Sequence, residues 1–229
     1  MIILGIDTSG YANAVGVVDG EQVLADFVFE ARTDSLEKIV ANIDHALKSA
    51  GLGLDCVQGI GAGLGPGSWT GIRVGVTVGK ILAFSTGRPV AGVPTLEALA
   101  YGARDETSLI CPVISAGTGD GVYAAFYRPA GDGFTREGDY YVGPARGLVG
   151  MIKDGTVFVG SEEVLKGLRA LLGDGVKMVA AVPGGAAVAH LASLRLERGD
   201  MDDALSLTPL YLKESTAKAF INRYTRVKG

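Results

Sequence analysis

Two cysteines, two histidines and one tryptophan are all that 229 residues hold of these types. Cys56 and Cys111 are isolated in apolar surroundings with no Cys-x-x-Cys spacing, so a disulfide framework or a zinc site is not expected, and both read as reduced, buried thiols. His45 and His190 are too far apart to form a His-x-x-x-His helix pair, which leaves a metal centre without ligands. There is no Gly-x-Ser-x-Gly elbow and no Cys-His arrangement, so a hydrolytic nucleophile is missing as well. Basic residues are outnumbered by acidic ones, 21 to 25, which argues against bulk electrostatic binding of nucleic acid. The longest early apolar run, Ile2 to Ile6, is only a strand's length and no basic region precedes it; a leader or membrane span is not expected, and the chain reads as cytoplasmic.

Glycine is abundant instead: 35 residues, about twice the usual share of about 7%, in a chain that is nonetheless 48% hydrophobic. The pattern is that of a folded protein with many tight turns. Its focus is the stretch from Gly61 through Gly65-Pro66-Gly67-Ser68-Trp69-Thr70-Gly71-Ile72-Arg73 to Lys80. Pro66 between two glycines forbids a strand or helix through the loop, so the reading is a strand, a corner and a helix capped by Ser68. A helix N-terminus of this kind presents unpaired N–H groups and can hold an anion.

Within that helix Gly71, Gly75 and Gly79 recur every four residues, each costing about 0.8–1 kcal/mol relative to alanine. Close approach of another backbone would offset the cost. The approaching element is either a partner helix or this protein's own sheet.

Taken in order, strands are predicted at 1–6, 12–18 and 22–29, with Asp19-Gly20-Glu21 as a hairpin turn. Asp34 or Ser35 is placed as the cap of a helix whose apolar positions are Leu36, Ile39, Val40, Ile43 and Leu47. A strand from Val57, the corner helix, a strand at 89–92 and a helix entered at Pro94-Thr95 complete the first half. After the charged break Arg104-Asp105-Glu106 the order partly repeats. Strands are expected at 109–114, 121–127, 138–142, 155–160 and 176–181, and helical segments at 148–152, 162–172 and 185–197. The fold class is α/β, in two lobes divided at residues 1–104 and 105–229.

Four segments carry a resemblance to a known family: Ile6-Asp7-Thr8-Ser9, the corner from Gly65 to Gly75, Val122 to Tyr127, and Pro209-Leu210-Tyr211-Leu212. They closely resemble the TsaB (YeaZ) family of bacterial tRNA threonylcarbamoyladenosine biosynthesis subunits. The resemblance implies two ribonuclease-H-like lobes of the actin/sugar-kinase (ASKHA) superfold. It also implies a non-catalytic scaffold that dimerises with TsaD, recruits TsaE, reaches tRNA through the complex and forms a homodimer when alone. On that basis Gly71, Arg73, Val74, Gly75, Val78, Gly79 and Leu82 are expected at the partner interface. The family's His-Ser pair near the first helix is replaced here by Thr33-Asp34-Ser35, and its Asp-Ala-Arg run by 115–120. The second-lobe acid is therefore shifted or absent.

Asp7, Thr8, Ser9, Gly65, Gly67, Ser68 and Thr70 form the candidate phosphate or nucleotide site, because kinases of this superfold place a carboxylate at the end of a first strand. Asp-Thr-Ser-Gly is equally a favoured turn. No cofactor of the chain's own is expected, beyond weak ATP or ADP binding at the complex. The alternative function is an ATP-dependent phosphotransferase using Asp7 and the Ser68 corner. Trp69 is read as a core plug in preference to an interface anchor. The tail from Lys213 carries Lys218, Arg223, Arg226 and Lys228 against Glu214, a basic end that either touches an acidic partner or tRNA phosphate, or, the preferred reading, is simply solvated.

Overall fold

Central strand β1 (Ile2–Asp7) is apolar almost throughout and buried, as befits a strand with neighbours on both edges and helices on both faces. In the computed structural model, which describes residues 1–10, 12–30, 38–117 and 119–213, β1 pairs antiparallel with β2 (Ala12–Asp19), and β2 with β3 (Gln22–Glu30). On its other edge β1 pairs in parallel with β4 (Gly59–Gly63), and β4 with β5 (Val90–Val93). The sheet order is β3-β2-β1-β4-β5.

The second half repeats this plan. β6 (Ile110–Ser115), β7 (Gly121–Ala130) and β8 (Gly133–Pro144) form an antiparallel meander. β9 (Val157–Gly160) and β10 (Met178–Ala180) then add in parallel, giving β10-β9-β6-β7-β8. Two sheets of identical order, each a meander followed by two crossover strands, are the ribonuclease-H-like lobes of the actin/sugar-kinase superfold.

Helices α1 (Ile39–Ser49) and α2 (Trp69–Thr86) cover one face of the first sheet, their buried residues joining Leu4, Ile6, Val15 and Val17. Helix α4 (Glu162–Leu172) covers the outer face of the second sheet with Phe126 and Phe158 beneath it. Between the sheets lie α3 (Thr95–Ala100), packed on β6, β7 and β9, and α5 (Gly185–Glu197), packed on β1, β2, β4 and β5. The boundary at 104/105 therefore separates the sheets but not the lobes. α5 comes from the second half of the chain and completes the first lobe, which corrects the expected division.

The contact that places α5 is a row of glycines. Gly16 on β2, Gly5 on β1 and Gly61 on β4 are register partners across three neighbouring strands. A Cβ at Gly5 would land on the Gly185 carbonyl and Ala189 N, one at Gly16 on Ala186 N, and one at Gly61 would come within 2.9 Å of Ala192 Cβ and Val188 O. Helix backbone is thus pressed against sheet backbone, and Asp26 on β3 caps the helix start by accepting from Ala186 N at 3.0 Å.

Most elements fall where the residues indicate, and α4 and α5 have the expected bounds. The pair β7 and β8 is longer than expected, turning at Gly131 (φ 61) instead of breaking between Tyr127 and Gly138. β8 is an edge strand with no fully buried residue, so it lacks the apolar alternation that marks a half-buried strand. Cys111 is buried as expected, but Cys56 is exposed in a short 3-10 turn, because that turn ends outside the sheet. The proposed cap at Asp34 or Ser35 and the basic tail beyond Lys213 lie outside the described residues. Among the described residues no helix is long and apolar enough to cross a membrane.

Gly16→Ala should cost about 2–3 kcal/mol, because neither backbone at that contact can yield locally. Gly167→Ala is the control: it sits in α4 with open space around it and should stabilise by about 0.5–1 kcal/mol. Urea denaturation of both variants measures the contrast.

Candidate functional site

The corner between β4 and α2 is built as expected, and its hydrogen bonds run almost entirely inward. Ser68 caps α2, its hydroxyl accepting from Gly71 N at 3.2 Å, and Gly87 (φ 65) ends the helix. The backbone N–H of Ser68 donates to Ser9 O at 2.7 Å, and a Cβ at Gly67 would fall on that same carbonyl. Thr8 donates its hydroxyl to Gly71 O at 2.6 Å. The turn after β1 and the corner before α2 therefore hold each other face to face.

Asp7 sits at the centre and is only 2% exposed. One carboxylate oxygen accepts from Ser9 N at 2.8 Å and Ser9 Oγ at 2.5 Å. The other accepts from Thr95 Oγ1 at 2.7 Å, while a Cβ at Gly63 would collide with it. Thr95 in turn takes the Gly65 N–H on its hydroxyl at 3.1 Å and donates its own N–H to Gly65 O at 2.8 Å. Burial raises the Asp7 carboxyl above its ordinary value, against the lowering pull of the bonds from Ser9 and Thr95.

Asp7, Thr8, Ser9, Gly65, Gly67 and Ser68 are thus brought together as one cluster, with Thr70 exposed on the first turn of α2. The polar side chains of this cluster are engaged with other groups of the protein. Thr95 is the member that sequence reasoning missed; it was visible only as a helix entry, with no signal tying it to Asp7. Among the described residues no three His, Cys, Asp or Glu side chains converge to hold a metal ion. His45 lies against Phe27 and Phe29, and His190 against Tyr101, on separate elements.

The glycine stripe of α2 is turned inward, which corrects its assignment to a partner interface. Gly71 meets the Thr8 carbonyl, Gly75 the Thr8 hydroxyl, and a Cβ at Gly79 would lie 3.0 Å from Ala62 Cβ. All three are buried against β1 and β4. The protein's own sheet, not a second helix, is the backbone that approaches. Val74, Val78 and Leu82 are half-buried against the first-lobe core. Lys80 donates to Leu205 O and Leu207 O at 3.1 and 2.9 Å.

The large apolar side chains that α2 leaves to solvent are Ile81 and Phe84, 60% and 69% exposed, on the side away from the glycines, beside exposed Arg73, Thr77 and Ser85. Val40 on α1, 67% exposed, points outward from the same helical layer. Placing the residues of α2 on a helical wheel around the glycines marks Ile81 and Phe84 as the opposite apolar edge. At the N-terminal end of α2, Trp69 is half-buried and stacks on Tyr211 with ring centroids 4.2 Å apart. Arg73 lies 4.5 Å over the Trp69 ring and donates Nε–H to the Tyr211 hydroxyl at 2.9 Å. Trp69 is therefore a stacking partner and not a core plug, and Arg73, itself exposed, joins that stack through its Nε–H.

Residues 29–157 match the family model described as TsaD, tRNA N6-adenosine threonylcarbamoyltransferase. The chain is 32% identical over 128 residues to the tRNA threonylcarbamoyladenosine biosynthesis protein TsaB of Bacillus subtilis (strain 168), the match covering 56% of each chain. It is 31% identical over 130 residues to the Escherichia coli (strain K12) protein of the same name, again over 56% of each. The matches span little more than half the length of these curated relatives. Among solved structures, YeaZ from Pseudomonas aeruginosa superposes with a TM-score of 0.80 at 25% identity, over 92% of this chain and 99% of that one.

Two substitutions test the closed corner. Gly75→Leu should destabilise by more than about 3 kcal/mol and lose a cooperative melt, since the new side chain must displace Thr8 from inside the fold. Asp7→Asn probes the buried carboxyl through pH. A group whose folded pKa exceeds its unfolded value stabilises the fold below the unfolded value and loses that contribution as pH rises. The stability of the native chain relative to Asp7→Asn should therefore fall as pH rises from about 4 toward neutrality, read by urea denaturation at a series of pH values.

Proposed function

The chain belongs to the TsaD family in its TsaB (YeaZ) branch, and on that premise we propose that it is a non-catalytic, cytoplasmic subunit of the tRNA threonylcarbamoyladenosine machinery. It acts as a scaffold: it pairs with the transferase subunit TsaD, helps recruit TsaE and meets tRNA through the assembled complex. Alone, it pairs with a second copy through the same face.

The observation that carries this reading is the apolar edge of the α1 and α2 layer. Ile81 and Phe84, three residues apart on α2, are large, exposed and unshared with the core, and Val40 is exposed on α1; apolar side chains so placed gain by being covered. The docking surface is thereby moved from the glycine stripe to the opposite side of the same helix. The corner supports the scaffold reading over a phosphotransferase. In-line phosphoryl transfer calls for a carboxylate turned toward metal and nucleotide, whereas both Asp7 oxygens are engaged by Ser9 and Thr95. The role needs no cofactor of the chain's own, and any ATP or ADP would be held weakly at the complex.

Phe84→Glu and Ile81→Glu test the face. Each should keep the native melting temperature while weakening TsaD association about tenfold or more, since a charge would be buried at a covered apolar centre. Isothermal titration against TsaD, with sedimentation for the homodimer, gives both numbers. Unchanged affinity in both variants would place the interface elsewhere.

A further inference from the structure

After α5 the chain runs from residue 199 to 213 without helix or named strand, yet it is tied to the rest of the fold at several points along its course. Arg195, on the last turn of α5, grips both carboxylate oxygens of Asp200 at 2.7 and 2.9 Å, Asp202 at 2.9 Å and Gly92 O at 2.7 Å. Asp202 pairs with β5 through its N–H to Val90 O at 2.8 Å and its carboxylate from Gly92 N at 2.7 Å. Lys80 then clamps the Leu205 and Leu207 carbonyls, and Leu207 is buried in the first-lobe core. Leu210 N donates to Leu64 O at 2.8 Å, at the mouth of the glycine corner.

The next three residues change lobes. Tyr211 stacks on Trp69 beneath Arg73, still on the first lobe. Leu212 packs into the cluster of the second sheet's inner face, alongside Tyr123 and Ile114. Lys213 donates to Ala116 O at 3.3 Å and lies 5.5 Å over the Tyr123 ring, on the turn between β6 and β7. The attachments are graded. Residues 200–210 are held to the first lobe by short bonds at Asp200, Asp202, Leu205, Leu207 and Leu210, whereas the second-lobe end rests on one partly exposed leucine and one long lysine contact.

We infer that residues 199–213 are an interlobe strap, anchored on the first lobe and latched on the second, which holds the corner-side ends of the lobes together. The latch is the part that releases. Trp69 and Arg73 sit where the strap leaves the first lobe, so the first turn of α2 and the β6–β7 turn are mechanically joined through three consecutive residues. The inference is independent of the proposed partner.

Trp69 is the sole tryptophan, and its contact with Tyr211 makes its fluorescence a reporter of the strap. In the full-length chain, Leu212→Ser should roughly double the acrylamide quenching constant of Trp69, as expected when a mostly docked segment becomes mostly free. Far-UV circular dichroism and a cooperative melt should be retained. Lys213→Glu, at an exposed side chain, should shift quenching the same way by less, and keeps the test open if Leu212→Ser does not fold. Unchanged quenching in the folded variants overturns the strap. Spin labels on exposed Cys56 and on Asp120→Cys, with Cys111 buried, read the lobes directly. The native chain should give one narrow distance and Tyr211→Ala a longer or broader one; identical distributions would likewise overturn it.

Discussion

Backbone-to-backbone contact between α5 and the first sheet is the constraint on which the rest of the molecule depends. Gly16, Gly5 and Gly61 form a trough across three strands, and Gly185, Ala186, Ala189 and Ala192 form the ridge that enters it. Small residues on both sides gain dispersion contacts over a long seam. They also set the layer spacing to within a methyl group, so that α3 can pack on α5 and still cover the second sheet. A helix from one half of the chain is thereby built into the other. The two lobes share a layer instead of meeting at a surface.

The corner follows the same logic at smaller scale. Glycines at 63, 67, 71 and 75 admit the Asp7, Ser9 and Thr8 groups to positions a side chain would occupy. The carboxylate of Asp7, costly to bury, is compensated by three donors from Ser9 and Thr95. A strand end that could present a carboxylate to a ligand here serves to lock β1, α2 and α3 to each other. With the glycines consumed inside, α2 has only its far side to offer, and that side carries Ile81 and Phe84.

Much of this was legible in the sequence, and the misses share a cause. Element type and order came from apolar runs, capping residues and turn glycines, all local signals; Ser68 and the bounds of α4 and α5 are examples. A glycine stripe states that some backbone comes close, but not which one. Strand register and the return of α5 decide that, and both are non-local. The bond from Thr95 to Asp7 joins residues 88 positions apart, and the stack of Tyr211 on Trp69 is set by a segment with no periodicity to read. For the site, the cluster of Asp7, Thr8, Ser9 and the corner could be named in advance. That its polar groups face one another could not.

The shared layer also sets an order of events during synthesis. A ribosome makes β1 to β5 early, yet the trough formed by Gly16, Gly5 and Gly61 has nothing to receive until residues 185–197 have left the exit tunnel. Until then one whole face of the first sheet is uncovered, while the second lobe's strands are already emerging beside it. The second lobe, whose outer helix α4 is local in sequence, is free to close first. A chain that stopped short of residue 185 would leave that face of the first sheet without its covering helix.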